Sequence, residues 1–515
     1  MNRINTIPKD IDLIVKQYAL RAQFTAKQLD QAEQLANAGT RAEKEPRYDA
    51  RNLHFVTIDG DDAKDFDDAI CLLKLPNNTF QLHVAIADVS FFVTPQSALD
   101  IEAQKRGTSI YFPDFVIPML PPALSEGVCS LLPHTDRYVV LCTMDLTNDG
   151  DVSKYEFKRA IINSKHRLTY QKVDELLIAN NQSDPLTVFL LKLNELRIVL
   201  EHKKMLRKAL HVERKETVIT LDAERNVKQI GKKEPLISQS IVEECMVLTN
   251  TCMANYLLKQ YPDGAIYRTH QPPHLDDIIK LQSTMKKYGI AIALPPPSQE
   301  KKFYYAMLLE QIKKHVLAPQ LYPLVLQSLP HACYTIDAFG HFGLALQQYT
   351  HCTSPIRRYS DIIAHRLLLQ SLSSTTKQVP YSKSFLTEVS TICSDRERTS
   401  EQASRTHQAL LGCLYVKQKI STQTQATIVS FYKHGAFVYL TQYGVEAFCK
   451  FKTDSIRSRR FRSRTRTSLH LEDYFSIGQT IEVTISDIDF DRYKITTTVS
   501  SKLIPQSKHE RRKNY

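Results

Sequence analysis

The sequence has no apolar run approaching the ~20 residues a membrane-spanning helix needs, and its mean hydropathy is −0.30. A helical membrane protein is thereby excluded. The opening stretch, MNRINTIPKDIDLIVKQ, lacks the apolar segment of a secretory signal, so a cytoplasmic protein with no membrane partner is expected. The 10 cysteines include no C-x-x-C pair, which argues against a zinc ribbon. In a long chain without a signal peptide they read as reduced thiols, often buried. No G-x-S-x-G motif is present, so nothing points to a serine hydrolase. No long internal repeat occurs.

What is present is an average globular composition, 43% hydrophobic and 24% charged over 515 residues. At roughly 100–200 residues per domain, about three domains are expected. Lys and Arg number 67 and Asp and Glu 55, a net charge of +12. That excess favours a polyanionic partner, either nucleic acid or an anionic surface. Its distribution is informative. The last 65 residues carry +6, whereas Asp59 to Asp68 holds six Asp against one Lys. A concentrated acidic knot in a basic protein suggests a polyanion binder with a metal site inside it.

Residues 1–50 read as a polar helical segment, with Ile11, Leu13, Ile14, Val15 and Tyr18 on one turn set and a second helix ending near Gly39. Strands are expected at 53–59, 69–75, 80–93, 138–146 and 152–162, with an extended loop over 110–122. Helices are expected over 170–210 and 235–260, and from 270 to about 420 with breaks at Pro295–Pro297, Pro319 and Pro323. Ser371–Thr376 reads as a surface linker. Strands first and helices later imply an α+β domain over 51–373 with a helical extension over 374–422. Residues 423–500 are short β-rich segments with the texture of a small closed barrel. A basic tail, 501–515, follows.

The acidic knot is Ile58-Asp59-Gly60-Asp61-Asp62-Ala63-Lys64-Asp65-Phe66-Asp67-Asp68. Asp59 ends one expected strand and Asp68 opens the next. Asp65 and Asp67 share a parity, so an extended backbone puts them on one face. Crowded carboxylates ionise together only with a cation among them. With no His or Cys nearby, the donors suit Mg²⁺ or Mn²⁺. Two such ions about 4 Å apart would serve phosphodiester hydrolysis. The misplaced glycine and missing closing Glu argue against an EF-hand. On composition alone, a solvated acidic turn is the other reading.

Farther along lies HFGLALQQYTHCTSPIRRYSDIIAHRLL, residues 341–368. Ser354 suits an N-cap and Pro355 a first helical position, which places Arg357 and Arg358 in a first turn. Cations there oppose the helix dipole unless an anion is bound, so phosphate is one reading. Ion pairing to Asp361 is the other.

These blocks resemble the ribonuclease II / ribonuclease R family, closer to ribonuclease R. The family pattern of Asp, five residues, then Asp-x-Asp-Asp falls on Asp59, Asp65, Asp67 and Asp68, leaving Asp61 and Asp62 as turn residues. The resemblance implies a catalytic α+β RNB domain and a Mg²⁺-dependent 3′-to-5′ exoribonuclease acting on single-stranded RNA. The four carboxylates would hold the metal, with Asp67 the most critical, and Arg357 would support charge on the phosphate. Arg358, Tyr349 and His341 would assist, the first two near the substrate. In YFPDFVIPML, Tyr111 matches the residue that stacks on the 3′-terminal base; a lone Tyr is otherwise often packing. Asp88, Glu243, Glu244 and Asn250 are weaker candidates for support or channel roles. CSDRERTSEQASR (393–405) matches the family's late helix, with salt bridges the expected use of its charges.

Residues 423–500 resemble an S1-type OB-fold. Phe431, Tyr432, His434 and Phe437 are candidates for base stacking and Lys433 for phosphate, with Phe437 and Val438 expected on opposite faces. The arginine-rich 456–467 reads either as a phosphate contact or as a solvated loop. The cold-shock barrels usual at the front of the family have no counterpart in residues 1–50. A monomer is expected. The alternative function is an RNA-binding protein of this family with weakened or lost catalysis.

Overall fold

Near-continuous apolar runs of Val, Ile, Leu and Ala build the centre, as strands buried on both faces require. In chain order the strands are β1 (Tyr48–Asp49), β2 (Val56–Asp59), β3 (Asp68–Lys74), β4 (Phe80–Ala87), β5 (Ile110–Phe112), β6 (Phe115–Ile117), β7 (Asp136–Leu146), β8 (Val152–Asn163) and β9 (His166–Thr169). This is a computed structural model, and it describes residues 7–39, 46–77, 79–212, 215–295, 300–373, 380–432, 435–451, 471 and 474–499. Seven strands form one mixed sheet in the order β1-β8-β7-β4-β3-β2-β9. Its two outer pairings, β1 with β8 and β2 with β9, are parallel; the rest are antiparallel. β5 and β6 form a separate hairpin.

Helices Pro185–Leu206 and Ile237–Gln260 lie against β3 and β4, and Tyr359–Ser373 packs on Ile237–Gln260. One core runs through this assembly, from Val56 and Ile70 in the sheet to Ile362, Leu367 and Val389 in the helices. Each fully buried aliphatic side chain of that kind contributes about 1.5–3 kcal/mol. A helical block, Leu275–Lys286, Lys301–Lys313 and Ala318–Gln327, has its own core. No helix among the described residues is long and apolar enough to cross a membrane.

The C-terminal unit is a closed five-stranded barrel, as its texture predicts. After the hairpin β10 (Glu216–Leu221) and β11 (Val227–Lys233) and the pair β12 (Tyr267–Thr269) and β13 (Cys333–Thr335), the barrel strands are β14 (Gln423–Tyr432), β15 (Gly435–Leu440), β16 (Val445–Lys450), β17 (Thr480–Asp489) and β18 (Lys494–Val499). Ile219 and Ile230 of β10 and β11, with Leu411 and Val416 from the end of helix Lys383–Val416, enter the barrel's core. The barrel is thus seated on the rest of the protein.

Several expectations need correction. The sheet begins at β1, inside the segment read as purely helical. Residues 88–93 are not strand, because Asp88 caps the helical turn Val89–Phe92 through the Phe91 N–H. Residues 110–117 form a hairpin rather than a loop. The β10–β11 hairpin was not foreseen. Pro319 and Pro323 lie within the helix Ala318–Gln327; a first-turn Pro needs no N–H partner, and the apolar face around Leu321 and Val325 carries the helix past Pro323. Ser371–Ser373 finish a helix, whereas 374–379 lie outside the described residues. The 456–467 and 501–515 segments also lie outside them.

Candidate active site

β2 and β3 deliver Asp59 and Asp68 to one end of the sheet, and the loop between them carries Asp65 and Asp67. Backbone clamps give that loop its shape. Arg167 on β9 donates from Nη2 to the carbonyls of Gly60 and Asp61, at 2.9 and 2.6 Å. Ser130 Oγ accepts the Phe66 N–H at 3.0 Å and donates to the Lys64 carbonyl at 2.6 Å. The Ala87 and Leu131 N–H groups grip the carbonyls of Asp67 and Phe66, at 2.9 and 3.0 Å. Asp61 and Asp62 lie in an exposed turn, as expected.

Asp67 is 5% exposed. Its Oδ1 accepts the Ile356 N–H at 2.8 Å. Its Oδ2 is buried without a hydrogen-bond partner, 3.7 Å from Arg357 Nε. Burial pushes its carboxyl well above the usual range, against the pull of Arg357 and the Ile356 N–H; Asp65 and Asp68 add repulsion. Burial, then the charge of Asp65, raises Asp59 to about 6. Burial, then Asp59, raises Asp68 to about 8, with Arg357 and Arg358 opposing. The Asp65 Oδ2 accepts the Tyr111 hydroxyl at 2.9 Å. Tyr111 is 40% exposed and stands beside the carboxylates, so it is not core packing.

Among the described residues, no three His, Cys, Asp or Glu side chains close into a metal cage. The four carboxylates stand open instead, with one oxygen of Asp65 engaged by the Tyr111 hydroxyl. The donors nevertheless fit Mg²⁺. This ion takes one or two carboxylates and completes its shell with water and substrate phosphate oxygens. The orphaned oxygen on Asp67, between neighbours whose ionisation is resisted, has the chemistry that suits such a cation.

The arginine segment departs from its expected form. Arg357 and Arg358 N–H groups do turn back to the Ser354 carbonyl, at 3.2 and 2.9 Å. The chain then leaves helical geometry to pair with 107–109. Arg358 bridges Thr108, the Ser109 N–H donates to the Arg357 carbonyl at 3.0 Å, and the Tyr359 N–H donates to the Gly107 carbonyl at 2.9 Å. The helix starts only at Tyr359, so the dipole argument does not apply to either arginine. Gly107 has a φ of +68° and a Cβ there would sit 2.9 Å from Arg396 Cβ, so this junction requires glycine.

The two arginines part company. Arg357 is 43% exposed, with Nη2 resting on Ser354 Oγ at 3.0 Å. Arg358 forms a bidentate pair with buried Asp361, at 3.0 and 2.8 Å. The ion-pair alternative is therefore the correct one for Arg358, and its expected place at the substrate is corrected to a framing role. Tyr349 is corrected likewise: it is buried, and its hydroxyl accepts from Asn250 Nδ2 at 3.2 Å. Asn250 Oδ1 also accepts the Cys352 N–H at 2.8 Å, so Asn250 fixes the segment leading to the arginines. His341 stacks edge-on with Tyr349 and His270. Burial pushes its imidazole down to about 3, with His270 and Arg268 adding to this.

Asp88 pairs with Arg47 at 2.8 Å and is structural. Glu243 and Glu244 both bind Lys204, at 2.9 and 2.8 Å. The late helix carries the expected pairs Asp395–Arg398 and Glu401–Arg405, and Glu397 also bonds Arg268. On the barrel, Tyr432 is 53% and Phe437 41% exposed, while Val438 is fully buried, which is the expected split. Phe431 packs partly into the barrel core. Lys433 and His434 lie outside the described residues. Arg167 and Ser130 were missed, since no spacing marks a residue that acts through loop carbonyls. Tyr170 was missed too; it opens a helix close to Asp59 and Asp68, whose charges add to burial in raising its phenol.

The RNB domain matches residues 47–374, a span that contains the sheet, the four carboxylates and both arginines. The chain therefore belongs to the RNB-domain family, the family of ribonucleases II and R. Within it, the chain is similar to ribonuclease R of Escherichia coli, with 34% identity over 481 residues, covering 90% of this chain and 59% of that protein. It thus spans less than two thirds of the length of such curated relatives. The structure of Mycoplasma genitalium RNase R in its apo form superposes with a TM-score of 0.84 at 26% identity, covering 95% of this chain and 78% of that one. The same protein in complex with ribose methylated single-stranded RNA gives the same TM-score.

Proposed function

We propose that the protein is a Mg²⁺-dependent 3′-to-5′ exoribonuclease that hydrolyses single-stranded RNA to nucleoside 5′-monophosphates. The observation that carries this reading is Asp67, buried with one oxygen gripped by the Ile356 N–H and the other facing Arg357 without a hydrogen bond. A buried carboxylate in that condition is costly unless a cation joins it. The bound RNA of the Mycoplasma genitalium structure supports RNA as the substrate.

Asp59, Asp65, Asp67 and Asp68 would hold Mg²⁺, which when bound supplies an activated water and neutralises charge at the scissile phosphate. The chain's own groups do the positioning. The exposed ring of Tyr111 receives the 3′-terminal base, a sequence-tolerant contact of about 1–3 kcal/mol. Arg357 is charged and accessible, and its guanidinium meets charge developing on the phosphate oxygens. Arg358, Asp361, Asn250 and Tyr349 keep that arginine and the Ile356 N–H in place. Hydrolysis needs no side-chain nucleophile, and the product keeps its phosphate on the 5′ oxygen.

The test is a comparison of linear and circularised RNA of one sequence, with products separated by ion-exchange chromatography. Linear RNA is expected to yield nucleoside 5′-monophosphates while the circle survives. Cleavage of the circle, or nucleoside 3′-phosphates, would overturn the reading.

A further inference from the structure

The RNB-domain match begins at residue 47, so the helix Lys9–Gln17 lies outside it. Its location is specific all the same. Ile11 and Ile14 are fully buried in a small core shared with Ile110, Phe112 and Ile117 of the β5–β6 hairpin and Ala403 of the long helix. Strand alternation puts the next side chain on the opposite face. Tyr111 therefore points away from that core and places its hydroxyl on Asp65.

Two strands of three residues do not hold a position by themselves. A polar latch grips the hairpin at its tip. Asp114 lies in the turn between β5 and β6, and it pairs with Arg225 Nη1. Arg225 comes from another turn, between β10 and β11, where its φ is +66°. Its Nη2 donates to Asp10 Oδ2 at 3.0 Å. The same Asp10 oxygen meets Nε2 of fully buried His407 at 2.8 Å. The His407 ring stands edge-on to Phe112, 5.1 Å between centroids. Three separate parts of the chain thus converge on the back and tip of one short hairpin.

We propose that the Asp10–Arg225–Asp114 latch positions Tyr111 for the 3′-terminal nucleotide. The inference rests on the exoribonuclease reading above. Arg225 touches neither the carboxylates nor Arg357; it acts through the hairpin. With the latch broken, the hairpin pivots on its apolar back, the Tyr111 ring loses its fixed plane, and the metal-binding loop stays as it is. The loss therefore falls on RNA engagement and not on the chemical step.

The experiment is steady-state degradation of a single-stranded RNA with Mg²⁺ by the full chain, in wild-type and Tyr111→Ala backgrounds. Arg225→Ala is expected to raise KM about tenfold, the scale of one weakened base stack, with kcat changed less than about twofold. In the Tyr111→Ala background, the same substitution is expected to change nothing further. Asp114→Ala, which alters only the hairpin tip, should reproduce the effect, and Asp114→Asn, which keeps an acceptor for Arg225, should restore much of it. Equal losses in both backgrounds would assign Arg225 a general structural role and overturn the proposal, as would an unchanged KM. An inactive wild-type protein would overturn the exoribonuclease reading and the proposal with it, so the two failures are distinct.

Discussion

Asp67 Oδ1 accepts the Ile356 N–H at 2.8 Å, joining two segments 289 residues apart. This one bond brings the acidic loop and the arginine segment into a single site. It also holds Asp67 so that its second oxygen faces Arg357 with no hydrogen bond to satisfy it.

The adjacent arginines should separate activity from stability. Arg357→Ala removes a half-exposed guanidinium and is expected to lower kcat by roughly 100-fold, the scale of losing one preorganised charge donor, with little change in Tm. Arg358→Ala leaves Asp361 buried and unpaired, a loss of about 3–5 kcal/mol, and should lower Tm sharply. Thermal melts beside kinetics on the two variants check this. The reverse pattern would mean that the arginines have been assigned the wrong way round.

Stability of the metal-free protein should fall as pH rises past neutrality. Asp68 is raised to about 8 in the folded state, from 3.8. Between those values the folded protein holds a proton that the unfolded chain has lost, so rising pH favours unfolding. Buried His341, lowered to about 3, has the opposite slope, but only below about 6.5. From about pH 6.5 to 8 the carboxylate slope stands clear of the histidine. Tm measured in EDTA across that window should decline for the wild type and be flatter for Asp68→Asn.

Much of the fold was legible because its signals are local. The apolar runs of β3, β4 and β7 and the texture of the barrel report buried strands directly. The carboxylate spacing and the Tyr111 block were legible through the resemblance. What could not be read was set by tertiary competition. Ser354-Pro355 is a sound helix start by local rules, yet pairing of 357–359 with 107–109 delays the helix to Tyr359. Arg167 and Ser130 shape the acidic loop through its carbonyls, a contact that leaves no pattern in sequence. Arg357 and Arg358 are adjacent and chemically identical, and only the burial of Asp361 tells them apart.

The barrel should contribute binding without supporting the fold through its exposed rings. Tyr432→Ala and Phe437→Ala are each expected to weaken RNA binding by about 1–3 kcal/mol and leave Tm nearly unchanged. Val438→Asp, placing a charge in the barrel core, should unfold it. Gel-shift titrations at fixed salt, alongside melts, would test the pair; unaltered affinity in both aromatic variants would remove these rings from the RNA path.

The central claim is a metal-dependent carboxylate site that shortens RNA from its 3′ end. It is tested most directly by a time course on 5′-labelled single-stranded RNA with Mg²⁺, run beside EDTA and beside Asp67→Asn. The account predicts progressive shortening to a small limit product in Mg²⁺ alone. With EDTA, and in Asp67→Asn, it predicts intact RNA that the protein still binds. Wild-type turnover by Asp67→Asn, or shortening that persists in EDTA, would contradict it.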